Sequence, residues 1–130
     1  MTINVENRPK TIIEINLPEK TIKLNAYTDT PSAYKAVSNA YRESLLVESR
    51  VRKALESEDP TEKSVDIFGA LEYQATALIE ALKVALDGKE YAKIEKIVPY
   101  LPVKALRDIV SAISDAMCTQ LVERIKENKI

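Results

Sequence analysis

One stretch of this chain, residues 59–88 (DPTEKSVDIFGALEYQATALIEALKVALDG), is punctuated as a helix at both ends and constrains what the rest can fold into. Asp59 is placed to cap it, Pro60 suits the first helical position, and Glu62 follows three residues after the cap. These choices satisfy free backbone N–H groups and put negative charge at the positive end of the helix dipole. Gly88 is expected to close it, because a residue without a Cβ enters the left-handed conformation of a helix terminus cheaply. Phe68, Leu71, Ala75, Leu78, Leu82 and Ala85 recur at spacings of three and four and predict one apolar seam. The rod would be roughly 40 Å long. Gly69, Ala70, Ala77 and Ala81 form a second face of small residues, suited to a neighbouring helix, another subunit or a guest helix.

The flanking segments follow their own periods. Residues 1–10 are polar and read as a flexible arm in which Ile3 and Val5 add briefly to a sheet edge. Residues 11–27 alternate on either side of Pro18-Glu19-Lys20, with Ile13, Ile15, Leu17, Ile22, Leu24 and Ala26 inward, which predicts a β-hairpin. Such a hairpin is marginal alone, so its apolar face must rest on helices or pair with another chain. Thr30-Pro31 repeats the cap-then-proline signal for a helix to about residue 57, with Tyr34, Val37, Tyr41, Leu45, Val51 and Leu55 inward. Glu48 interrupts that stripe, and Leu46 and Val47 point off it, which fits either a break or curvature near the middle of the helix or a second partner on their side. A short amphipathic piece over 89–98 leads to a corner between Pro99 and Pro102, and a last helix to about residue 126 carries Leu106, Val110, Ile113, Met117 and Leu121. The expected architecture is α+β, mainly α: one domain spanning 1–130, with a helical part over 31–126 holding three longer helices and one short one.

Composition removes several chemistries. There are 19 basic and 20 acidic residues, which argues against a general nucleic-acid binder. Histidine is absent and Cys118 is the single cysteine, so internal disulfides, histidine-containing zinc sites and Ser–His or Cys–His catalysis drop out together. No signal-peptide pattern or membrane-length apolar run stands out, and a cytoplasmic protein with no membrane partner is expected. Cys118 beside Met117 reads as a buried, inert thiol.

A metal-dependent helical hydrolase acting on nucleotides would need several inward acids on facing helices. Glu48 and the Glu62/Asp66 pair are its only candidates, and acids in a first helical turn are expected for capping alone. Two glycines, Gly69 and Gly88, cannot make a phosphate loop. No catalytic, cofactor or metal-binding residue is therefore assigned. The basic run Arg50-Val51-Arg52-Lys53 suits either a solvated face or contact with an acidic partner. Tyr34 and Tyr41 are expected at the core edge, whereas Tyr91 and Tyr100 flank the proline corner and are candidates for an exposed binding surface. The candidate partner-binding residues are Gly69, Ala70, Ala77, Ala81, Leu46, Val47, Tyr91 and Tyr100.

The order of features, IIEINLPEKTIKLNAY into TDTPSAYKAVSNAYRE, an alanine- and leucine-rich central helix and then YAKIEKIVPYLPVKALRDIVSAI, resembles the small tail assembly chaperones of long-tailed, siphovirus-like bacteriophages and prophages, especially those of Gram-positive hosts. The resemblance covers roughly residues 11–126 and lies in layout and texture rather than in a motif. It implies a non-enzymatic role without cofactor: binding the long helical tape measure protein in the host cytoplasm during tail morphogenesis, with self-association into a homo-oligomer and absence from the finished virion. The alternative from another class is a self-associating helical scaffold or structural subunit.

Overall fold

The chain is described here from a computed structural model covering residues 1–3 and 10–127. Residues 4–9 of the expected arm, Val5 among them, lie outside the described residues. In order, the elements are β1 (Lys10–Asn16), β2 (Thr21–Tyr27), α1 (Pro31–Ala54), α2 (Pro60–Ala85), α3 (Gly88–Ala92), a 3-10 turn (Val98–Tyr100) and α4 (Val103–Lys126). The fold is α+β and mainly helical, a hairpin followed by three long helices and a short one.

Local chemistry sets most boundaries. Thr30 caps α1 by accepting from Ala33 N–H, and Asp59 caps α2 by accepting from Thr61 and Glu62 N–H. Gly88 does not end α2. The helix stops at Ala85, Leu86 is extended and bridges to Ala26 of β2, and Asp87 starts α3 by accepting from Glu90 N–H at 2.9 Å. A side-chain cap one residue ahead of the glycine converts the expected terminator into the first residue of a new helix.

The β1–β2 register pairs Ile13 with Leu24 and Ile15 with Ile22, and these residues are buried as their alternation predicts. They form one core with Val37 and Ala40 of α1, Leu78, Ala81, Leu82 and Ala85 at the end of α2, Leu86 just past it, Ile94, Val98, and Leu106, Ile109, Val110, Ile113 and Met117 of α4. Leu121, expected in that core, is exposed, and so is Cys118. The buried stripe of α4 runs out at Met117, beyond which the helix is tied by polar contacts: buried Thr28 donates to Gln120 Oε1 at 2.6 Å, and Arg124 pairs with Asp29. Asp29 also accepts from the Tyr34 hydroxyl at 2.5 Å, drawing that ring to the surface. Among the described residues no helix is long and apolar enough to cross a membrane.

The outer edge of β2 is closed by α3 and the turn after it. Buried Glu90 accepts from Asn25 N–H at 2.9 Å and pairs with Lys93 at 2.9 Å, while Lys93 Nζ donates to Lys23 C=O at 3.1 Å. The Asn25 amide and then the Lys93 ammonium hold the Glu90 carboxyl below its ordinary value near 4.5. A carboxylate with a lowered folded pKa contributes stability above its unfolded pKa and loses it as pH falls through the folded one. Glu90→Gln is therefore expected to be less stable than the wild-type chain at neutral pH. That difference should shrink as pH drops below the ordinary carboxylate range, read by urea midpoints across a pH series.

Candidate partner-binding site

The helical hairpin α1–α2 closes on small residues. On α1 the inward positions are Ala33, Val37, Ala40, Ser44, Val47, Val51 and Ala54, all buried or half-buried at alternating spacings of four and three. On α2 the matching set is Ile67, Ala70, Gln74, Ala77 and Ala81. This is a heptad seam between antiparallel helices, and Gln74 marks its register by donating to Ser44 Oγ at 3.2 Å. Small side chains let the two backbones approach closely and leave no room there for leucine or phenylalanine.

That geometry inverts the expected use of the faces. Ala70, Ala77 and Ala81, candidates for a partner surface, are covered by α1 and buried. Gly69 is half-buried beside them, where an added Cβ would meet nothing within 4 Å. Val47 belongs to the seam and is half-buried, whereas Leu46 is exposed on the outer side. Tyr91 packs half-buried on the core below Lys83, while Tyr100 is 87% exposed at the corner. The level of Leu46, set by the Ser44–Gln74 bond, lies at least nine residues of α2, roughly 13 Å along the axis, from Lys83, beside which Tyr91 packs. The eight candidates are not one site.

The α2 stripe Phe68–Leu71–Ala75–Leu78–Leu82, expected to be all core, is half core. Leu78 and Leu82 are buried, and Tyr41 with Leu78 borders a cleft formed with Arg107, Val110 and Ser111 of α4. One to three turns further out α4 no longer covers the stripe. Leu71 is partly exposed and Phe68 is 66% exposed, and Leu45 (77%) on α1 and Leu55 (57%) just past its C-terminal end are uncovered rather than inward. Tyr41 sits at the boundary, itself partly exposed. Helical periodicity places Leu45 one turn beyond Tyr41 on the flank that meets α4. The result is an apolar face whose basal half is occupied by a helix and whose distal half is open.

The remaining candidates are held by ion pairs or lie on other sides. Arg52 pairs with Glu48 at 2.7 Å, both exposed, so the expected interruption of the stripe is a solvated pair. Arg50 pairs with Glu43 at 3.1 Å, and its guanidinium lies 5.7 Å from the Tyr73 ring centroid. Glu62 and Asp66 line a shallow groove with Arg50 and Lys53 that does not include Glu48. No group of three Asp, Glu, His or Cys positioned to hold a metal ion occurs among the described residues, so the hydrolase candidates are not assembled. Comparison of the chain with family models, curated proteins and solved structures finds no match.

Sequence reasoning missed Leu45, Leu55, Phe68 and Leu71 as surface residues because it ranked faces by the size of their side chains. The usable signal was the unbroken four-three spacing of alanine, valine and serine from Ala33 to Ala54. Two substitutions separate a tight seam from an open position. Ala77→Leu should cost about 1–3 kcal/mol by overpacking. Gly69→Ala, with open space for its Cβ, should gain up to about 1 kcal/mol. Chemical denaturation of both variants checks this.

Proposed function

We propose that this chain is a non-enzymatic binding protein for an amphipathic helix of another protein, acting as a phage tail assembly chaperone whose guest is the tape measure protein. The open distal half of the α4-side face, Leu45 and Leu55 with Phe68 and Leu71, carries the proposal. Monomeric proteins rarely leave large apolar side chains grouped in this way unless the group is used. The basal half of the same face is filled by α4, itself an amphipathic helix, and a guest helix would continue that layer over the open half. A long helical guest with apolar stripes would shield those stripes there until the tail tube forms around it, in the host cytoplasm and outside the finished particle. The layout resemblance supplies the guest's identity, and the face supplies the mode of binding.

Co-expression with the tape measure protein of the same genome is the test. Wild-type chain should raise the guest's soluble fraction and copurify with it. Leu45→Glu combined with Phe68→Glu should abolish both effects. Each change is at an exposed position and is expected to alter stability by only about 0.5 kcal/mol. A guest that stays insoluble and unbound with the wild-type chain overturns the proposal.

A further inference from the structure

The two edges of the hairpin are treated differently, and the difference is independent of the helical face above. On β2, Asn25 N–H is taken by Glu90, Lys23 C=O by Lys93, and Ala26 is bridged to Leu86. Asn25 and Lys23, whose main-chain groups are spent on the far side, have Ile12 and Glu14 as their β1 partners. A strand residue that spends its N–H or C=O on the far side is in a non-hydrogen-bonded pair with its neighbour. The main-chain groups of Lys10, Ile12 and Glu14 therefore point away from β2, along the outer edge of β1. The hairpin turn agrees: Leu17 N–H donates to Lys20 C=O at 2.8 Å, which fixes the same alternation from the other end. Among the described residues no hydrogen bond closes that edge. The edge carries two charges, Lys10 and Glu14, but has no proline or bulge between Lys10 and Asn16, and an isoleucine, Ile12, is 64% exposed at its middle.

We infer that β1 pairs antiparallel with β1 of a second copy of this chain, joining two hairpins into a four-stranded sheet about a two-fold axis at Ile12. Three features select a second copy rather than an unrelated strand. A two-fold axis at Ile12 makes that residue a hydrogen-bonded pair with its own mate, as its outward N–H and C=O require. The same register sets Lys10 opposite Glu14 of the second copy, twice over, so the edge is complementary in charge to itself. It also brings the two exposed Ile12 side chains side by side on the outer face. Beside the edge, consecutive residues Ile13–Leu17 border an open groove of about 410 Å3 whose other wall includes Ala105, Ile109 and Ala112 of α4. In this register the incoming strand's inward Thr11 lies opposite Ile13, at the near end of that groove.

Sedimentation equilibrium of the full chain and four variants tests the pairing. The wild-type chain should form a dimer. Ile12→Pro removes an N–H that faces away from β2, and proline is tolerated on such an edge; it should give a folded monomer by circular dichroism and sedimentation. Lys10→Glu and Glu14→Lys place like charges opposite each other and should each weaken association by about ten-fold. The double exchange Lys10→Glu/Glu14→Lys should restore it to near the wild-type value. The charge pair keeps the test decisive if the proline variant fails to fold. A wild-type chain that is monomeric at every concentration overturns the inference, and so does a dimer indifferent to Lys10→Glu.

Discussion

Close packing along the α1–α2 seam is the constraint on which the rest of this structure depends. Alanine, valine and serine on α1 meet alanine, isoleucine and glutamine on α2, and none of these inward residues is larger than isoleucine or glutamine. Such a seam gains little from burial area per residue and more from the closeness it allows, since dispersion between two backbones falls off steeply with distance. Everything large on these helices is consequently turned out of the hairpin. Where another layer lies over it, as α4 lies over Leu78 and Leu82, the large residues become the main core. Where none does, they stay on the surface.

What limits that second layer is also visible. α4 is as long as α1, yet it cannot lie along the whole hairpin because both its ends are committed elsewhere. Its C-terminal turns are held at the base by Gln120 on Thr28 and Arg124 on Asp29, and its N-terminal turns lean on β1 after the Pro99–Pro102 corner. The short α3 and the turn after it do different work, closing the β2 edge with one buried carboxylate and one ammonium. The protein thus finishes one sheet edge with side chains, while among the described residues no hydrogen bond closes the other.

Much of the fold was legible in the sequence, and the reason is local. The hairpin register, both proline-led helix starts and the α4 stripe to Met117 follow from periods of two and 3.6 with cap residues that act within four positions. The misreadings share a cause that is not local. Phe68, Leu71, Leu45 and Leu55 have the spacing of core residues, and only the length of α4 and the points where its ends are tied decide that no layer reaches them. Likewise Ala70, Ala77 and Ala81 are a usable small face in any single helix, and it takes α1 with its matching seam to cover them. Gly88 was misread for a simpler reason: Asp87 beside it is a stronger helix starter than the glycine is a terminator.

The division of the hairpin into a supported base and an unsupported end has a consequence for its motions. Base residues such as Ala40, Leu78 and Leu82 lie in the core shared with the sheet and α4, whereas α2 residues before Gln74 meet α1 alone. Local opening is cheapest where fewest buried contacts must be broken. Amide protection along both helices should therefore be graded, highest next to the sheet and declining towards the loop that joins them. The far end would then be a pair of helices able to part and reclose while the base stays folded, so its apolar surface can adjust its spacing to what lies against it.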